Sequence, residues 1–201
     1  QVTASDLDPT VPSPLTIDGE SGDDTLDASA MTDPVTLTGG AGDDSVTGGS
    51  GNDSLNGNAG DDGLVGGAGN DSLLGGSGRD RLDGGAGNDR LRAQGNSGDT
   101  LVSSSGSDLL HGGEGLDRVS VSDDNNITLD NSQLTVGTSS HQLADIQQAN
   151  LSGGDAPNAI DASGFTGDTT LTGGDGADTL TGSDGTTTLR ESLDTDLTLT
   201  D

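Results

Sequence analysis

The sequence predicts an all-β chain wound as a parallel-stranded solenoid, and three observations carry that prediction. Six consecutive nine-residue units run from Gly39 to Arg92 without a slip, each with Asp at its sixth place and an aliphatic residue at its eighth. Glycine fills 36 of 201 positions, more than twice the usual fraction, and clusters at the first, second and fourth places of those units. Material for an ordinary core is absent: one Phe, one Met, no Trp, Tyr or Cys, only 26% apolar residues and a formal charge of −29. Charge and hydropathy alone place such a chain in the disordered class. The strict short period overrides them, because repeats of this kind bury their apolar faces by stacking on one another.

Within each unit the glycines of GGxGxD permit positive φ and close backbone approach, so six residues are expected to reverse the chain with their carbonyls turned inward. The remaining three form a short strand whose middle residue faces in, which accounts for Val46, Leu55, Leu64, Leu73, Leu82 and Leu91 at the eighth place. Two units make one coil of 18 residues, so each turn stacks on the turn two repeats later. Asp44 should then face Asp62, followed by Asp80 and Asp99, and Asp99 should meet Asp117. On the opposite edge Asp53 should face Asp71, Asp89 and Asp108. The later units are looser: QGNSGDTLV, SSSGSDLLH and GGEGLDRVS follow the inserted Ala93. An isolated unit from Gly19 sets Asp24 about one coil before Asp44, and another from Gly173 carries Asp178.

Stacked carboxylates repel, by up to about 4 kcal/mol per pair at 4 Å with an effective dielectric near 20. Six Arg residues cannot neutralise 35 acids, so the counter-charge has to come from solution. Calcium fits, as a hard ion that takes six to eight oxygens from carboxylates and carbonyls in irregular geometry. The candidate ligands are the carboxylates of Asp24, Asp44, Asp53, Asp62, Asp71, Asp80, Asp89, Asp99, Asp108, Asp117 and Asp178. Backbone carbonyls of Gly39, Gly40, Gly42, Gly48, Gly49, Gly51, Gly57, Gly60, Gly66, Gly67, Gly69, Gly75, Gly76, Gly78, Gly84, Gly85 and Gly87 would complete the shells. About eight ions are expected on this reading.

The block from Gly39 to Arg92 resembles the RTX (repeats-in-toxin) calcium-binding nonapeptide, GGxGxDxUx. The resemblance implies a right-handed parallel β-roll or β-helix, calcium-triggered folding, and export from bacteria by a type I apparatus to the cell surface or the medium.

A longer repeat flanks the nonapeptides. The segment from Gly19, GESGDDTLDASAMTDPVTLTGGAGDDSVTG, aligns without gaps on GGDAPNAIDASGFTGDTTLTGGDGADTLTG from Gly153, and Pro157 and Asn158 replace the acidic pair in the second copy. The expected organisation is a linker over 1–16, the calcium-binding roll over 17–120, an irregular β region over 121–152, a second solenoid segment over 153–189 that repeats 19–48, and a tail over 190–201. NITLD and QLTVG around Asn131 and Ser132 read as a hairpin or as broadened coils. HQLADIQQANL has some helical character, while 146–151 reads equally as a strand. No apolar run reaches membrane length and no signal peptide opens the chain, which suits a fragment of a larger exported protein.

Function classes narrow accordingly. The charge excludes nucleic acid as a direct partner, and no aromatic platform exists for stacking on sugar rings. There is no GxSxG, Walker loop, Cys nucleophile or HExxH, so an enzyme is not expected. His111 and His141 read as surface residues. The first reading is a calcium-binding scaffold or spacer within an adhesin or surface protein. The alternative is a binding module for glycan, ice or another copy of the chain, using Arg79, Arg81, Arg90 and Arg92 or the outward pairs Thr36/Thr38, Thr170/Thr172 and Thr198/Thr200. Open sheet edges at the solenoid ends favour self-association.

Overall fold

The computed structural model describes residues 3–4, 14–190 and 198–200. Among these residues there are strands and turns and no helix. The chain alternates between two sheets, so outside one hairpin region each described strand pairs in parallel with the strand of the next coil rather than with its sequence neighbour. Thr25–Asp27, Ser45–Thr47, Gly63–Ala68, Arg81–Ala86, Thr100–Val102 and Arg118–Ser122 follow one another in a ten-stranded sheet. Leu15–Asp18, Val35–Ala41, Ser54–Ala59, Ser72–Ser77, Arg90–Arg92 and Leu109–His111 do the same in a twelve-stranded sheet.

The expected three-residue strands are too short for the central repeats. Gly63–Ala68, Ser72–Ser77 and Arg81–Ala86 each span six residues, because the second-place glycine of the next unit and the residue after it pair across coils, although that glycine sits at positive φ. Reversal falls to the three residues between strands, such as Gly60, Asp61 and Asp62. Gly87 illustrates the constraint there: its φ is +138° and a Cβ on it would lie 1.6 Å from the carbonyl oxygen of Gly69 in the preceding coil. Only glycine lets the coils approach that closely.

Inside, each strand of the roll contributes one aliphatic residue to a column. Leu26, Val46, Leu64, Leu82, Leu101 and Val119 line the first sheet, and Leu37, Leu55, Leu73, Leu91 and Leu110 the second, all buried. The single Met and the single Phe sit at matching places in the long repeat, Met31 at 2% and Phe165 at 1% exposure. Their N–H groups donate to the carbonyls of Ala28 and Ala162 at 2.8 and 2.9 Å, which folds each DASxxT stretch over its side chain.

The hairpin at Asn131 and Ser132 interrupts the winding. Ile127–Asp130 pairs antiparallel with Gln133–Val136, which pairs antiparallel with Ser139–Ala144. Ser139–Ala144 lies parallel to Leu109–His111, and Gln148–Ser152 lies parallel to Arg118–Ser122, so HQLADIQQANL is strand at both ends. In the ten-stranded sheet Gln148–Ser152 meets Asp168–Thr172 directly. The second sheet carries two further strands at that level. Pairing is continuous through the boundaries expected at 16, 120 and 152. Within the stretch read as a linker, Thr3–Ala4 pairs with Thr25 and Leu26, and Leu15 and Thr16 pair with Val35 and Thr36. Thr198–Thr200 in the tail pairs with Thr179–Thr181, while most of the remaining tail lies outside the described residues.

Candidate metal centre

Each turn presents its sixth-place aspartate where one strand is about to enter a sheet. On the first edge, leading into the ten-stranded sheet, the backbone N–H of Asp24 donates to Asp44 Oδ1 at 2.8 Å, Asp44 to Asp62 at 2.8 Å, Asp62 to Asp80 at 3.0 Å, Asp80 to Asp99 at 2.8 Å and Asp99 to Asp117 at 2.9 Å. On the second edge the N–H of Val35 donates to Asp53 Oδ1 at 2.9 Å, Asp53 to Asp71 at 2.7 Å, Asp71 to Asp89 at 2.8 Å and Asp89 to Asp108 at 2.9 Å. The inserted Ala93 is absorbed with no break: the spacing rises from 18 to 19 and the bond from Asp80 to Asp99 is intact.

These carboxylates are buried, each at 3% exposure or less. One oxygen of each accepts the N–H just described. The other, Oδ2, has no hydrogen-bond partner in Asp44, Asp62, Asp71, Asp80, Asp89, Asp99, Asp117 and Asp178. A buried acceptor left without a partner costs on the order of 1–3 kcal/mol, more when charged, so a run of them fits the ligand set of a cation. Burial raises the carboxyl pKa, with neighbouring acids adding to it: Asp62, Asp71 and Asp99 reach about 7 and Asp89 about 6. Asp44, Asp80 and Asp117 are raised for the same first reason.

Carbonyl oxygens converge on the same points. A Cβ built on Gly57 would lie 2.3 Å from Asp62 Oδ2 and 2.7 Å from the carbonyl oxygen of Gly75 in the next coil. At Gly66 the corresponding oxygens, Asp71 Oδ2 and Gly84 O, are both 2.5 Å away, and at Gly75 they are Asp80 Oδ2 and Ala93 O at 2.4 and 2.9 Å. The first-place glycines thus leave a cradle where a carboxylate and a carbonyl face one spot. Among the described residues no three His, Asp or Glu side chains cluster as a metal site. The donors are hard oxygens, one or two carboxylates with carbonyls, which suits calcium and not zinc.

The fourth-place glycines Gly42, Gly51, Gly60 and Gly69 turn their carbonyls to the fourth-place glycine of the following coil. The second-place Gly49 carbonyl accepts the N–H of Ala68 at 2.9 Å, so it also serves the inter-coil ladder. In the second long repeat Asp178 Oδ1 accepts from Asn158 N at 2.8 Å, and the Asn158 amide oxygen occupies the place of a carboxylate.

The nonapeptide reading missed two features. The fifth place forms an outer row, bonded in the opposite direction: Asp43 N donates to Asp23 Oδ1 at 3.0 Å, and Asp61 N to Asp43, then Arg79 N to Asp61, each at 2.8 Å. On the second edge the row is amide, with Asn70 N on Asn52 Oδ1, Asn88 N on Asn70 and Ser107 N on Asn88, all at 2.8 Å. The alternating DD and ND pairs of the repeat were the signal. The second feature corrects the reading of His141 as a surface residue. It is fully buried, with Nδ1 3.0 Å from Asp108 Oδ2, whereas His111 is exposed and pairs with Asp145 at 2.7 Å. Of the arginines, Arg79 pairs with Asp61 at 2.8 Å and Arg81 with Asp83 at 3.3 Å.

Comparison with known proteins agrees with the geometry. The RTX calcium-binding nonapeptide repeat (4 copies) matches residues 16–30, 36–64, 64–91, 94–127 and 163–186, well over half of the chain. No curated protein matches the sequence. No described helix is long and apolar enough to cross a membrane. Stacked GGxGxD turns, paired aspartate columns and the repeat match together place this chain in the RTX calcium-binding nonapeptide repeat family, as a parallel β-solenoid module built for structure and not on a catalytic fold.

Proposed function

We propose that the chain is a calcium-loaded structural module of a secreted or surface-attached bacterial protein, which folds on meeting extracellular calcium and then serves as a scaffold or spacer. The observation that carries this reading is the set of buried carboxylate oxygens with no partner along the two columns, with a carbonyl of a stacked coil beside those of Asp62, Asp71, Asp80 and Asp117. The ligands would be the carboxylates of the two columns, with Asp24 at the start of the first edge and Asp178 in the second long repeat. Carbonyls of the glycine turns would complete each shell. Bound calcium would supply the positive charge that the six Arg residues cannot, joining coil to coil where aliphatic side chains are scarce. Without it the columns repel and the chain stays extended, a state suited to passage through an export channel. Ions that bind only the folded form stabilise it by mass action, about 1.4 kcal/mol for each site saturated tenfold.

The test is a calcium titration followed by circular dichroism, with magnesium as control. A cooperative gain of β signal with calcium and none with equal magnesium is expected. A β-rich spectrum and melting temperature that survive chelation unchanged would refute the reading.

A further inference from the structure

His141 stands in line with the second-edge acids. Its strand, Ser139–Ala144, is the parallel neighbour of Leu109–His111 with Gln142 opposite Leu109, so His141 falls beside Asp108, where the next aspartate would belong. His141 Nδ1 lies 3.0 Å from Asp108 Oδ2, the atom that has no partner in Asp71 and Asp89, and with its proton on Nδ1 the ring donates to that oxygen. The Asp108 backbone N is 3.3 Å from the same Nδ1, where an earlier turn has a carboxylate oxygen to accept its proton. On its other side His141 faces Leu134 in the antiparallel register, and Leu134 is fully buried. The column therefore runs from acids through one imidazole into aliphatic core.

We propose that His141 terminates the cation column of the second edge: its imidazole takes the Asp108 oxygen that in earlier turns is left for an ion, so Asp108 contributes to a site only on its Asp89 side. This rests on the calcium reading above and assigns where the ions on that edge stop. The seam between the roll and the hairpin is then held by side-chain contact and not by metal.

Calcium per chain, measured by elemental analysis after desalting and by titration calorimetry, tests the assignment on the intact chain. His141→Asp restores the acid and is expected to bind one ion more than the parent. An unchanged count in a variant with the parent's calcium-loaded dichroism spectrum overturns the proposal and leaves the calcium reading intact. A parent that binds no calcium overturns both. Should His141→Asp fail to fold, the ring nitrogen spectrum of the calcium-loaded parent decides. A protonated Nδ1 donating to the Asp108 carboxylate supports termination, and an Nδ1 without its proton on loading overturns it.

Discussion

The two edges of this solenoid are built from one repeat yet differ in charge. The first edge stacks acids from Asp24 to Asp117 and backs them with an outer row of Asp23, Asp43 and Asp61. The second begins at Asp53, since Val35 takes the place of the preceding acid, ends at His141, and is backed by Asn52, Asn70 and Asn88. Even so, Asp62 on the first edge and Asp71 on the second are raised alike, to about 7, with burial the first cause in each and Asp43 only a minor contributor to Asp62. Desolvation by stacked coils, more than the density of nearby acids, sets the demand for a counter-ion. The outer row tunes it.

The largest effect expected is from steric closure of a turn. Gly87→Ala on the second edge forces a Cβ against the Gly69 carbonyl at a φ of +138°, and should cost roughly 3 kcal/mol or more of calcium-loaded stability in thermal melts. Gly63→Ala on the first edge meets only the Asp44 carbonyl oxygen, at 3.9 Å, and should stay within about 0.5 kcal/mol of the parent. Equal losses from the two would break the account of close coil approach.

Next comes loss of an interior acid. Asp80→Asn and Asp71→Asn should each lower the number of bound calcium ions and the melting temperature in calcium. In chelator at low salt both variants should gain order alike, because burial is the first cause of the raised carboxyl in each, with Asp61 acting on Asp80 and Asp53 and Asp89 on Asp71. Circular dichroism of the two variants side by side checks this, and a much larger gain in one would make charge density and not burial the difference between the edges.

Acidity should then act on both edges together. In the metal-free fold Asp62, Asp71 and Asp99 hold protons up to about pH 7 and Asp89 up to about 6, against an ordinary value of 3.8. The folded form therefore binds protons more tightly than the unfolded chain. Their contribution to stability is complete below about pH 4 and is lost as pH rises through 6 to 7. Chelated protein should accordingly be more ordered at pH 5 than at pH 8. The calcium midpoint should move to higher concentration as pH falls below 7, since protons compete for the same oxygens. Calorimetric titrations at the two pH values report both trends, and a midpoint independent of pH would contradict them.

The smallest effect belongs to the outer row. Asp43→Asn should raise the calcium midpoint, by removing a negative charge that attracts the ion, and Asn70→Asp lower it, each by no more than about fivefold and less at high salt, as for other exposed charges. A response as large as that of Asp80→Asn would move the outer row into the ion sites.

Much of this was legible in the repeat. A period of nine fixes which aspartates share an edge, and the inward aliphatic at the eighth place fixes which side of each strand is core. The strands were underestimated because glycines carry no strand propensity, yet Gly67 and Gly76, both at positive φ, pair across coils. His141 was invisible for a different reason. It reaches Asp108 across 33 residues, through an antiparallel hairpin whose register owes nothing to the period. Asn158 was readable, since the long repeat aligns it with Asp24.

The hairpin carries one more implication. It inserts two strands into one sheet and none into the other. At about 4.8 Å per strand, one flank of the rod gains roughly 10 Å over its opposite flank. The two flanks are therefore two strands out of step at this level, and the hairpin divides an ion-rich arm from an arm poorer in acids, where Asn158 stands in for one of them.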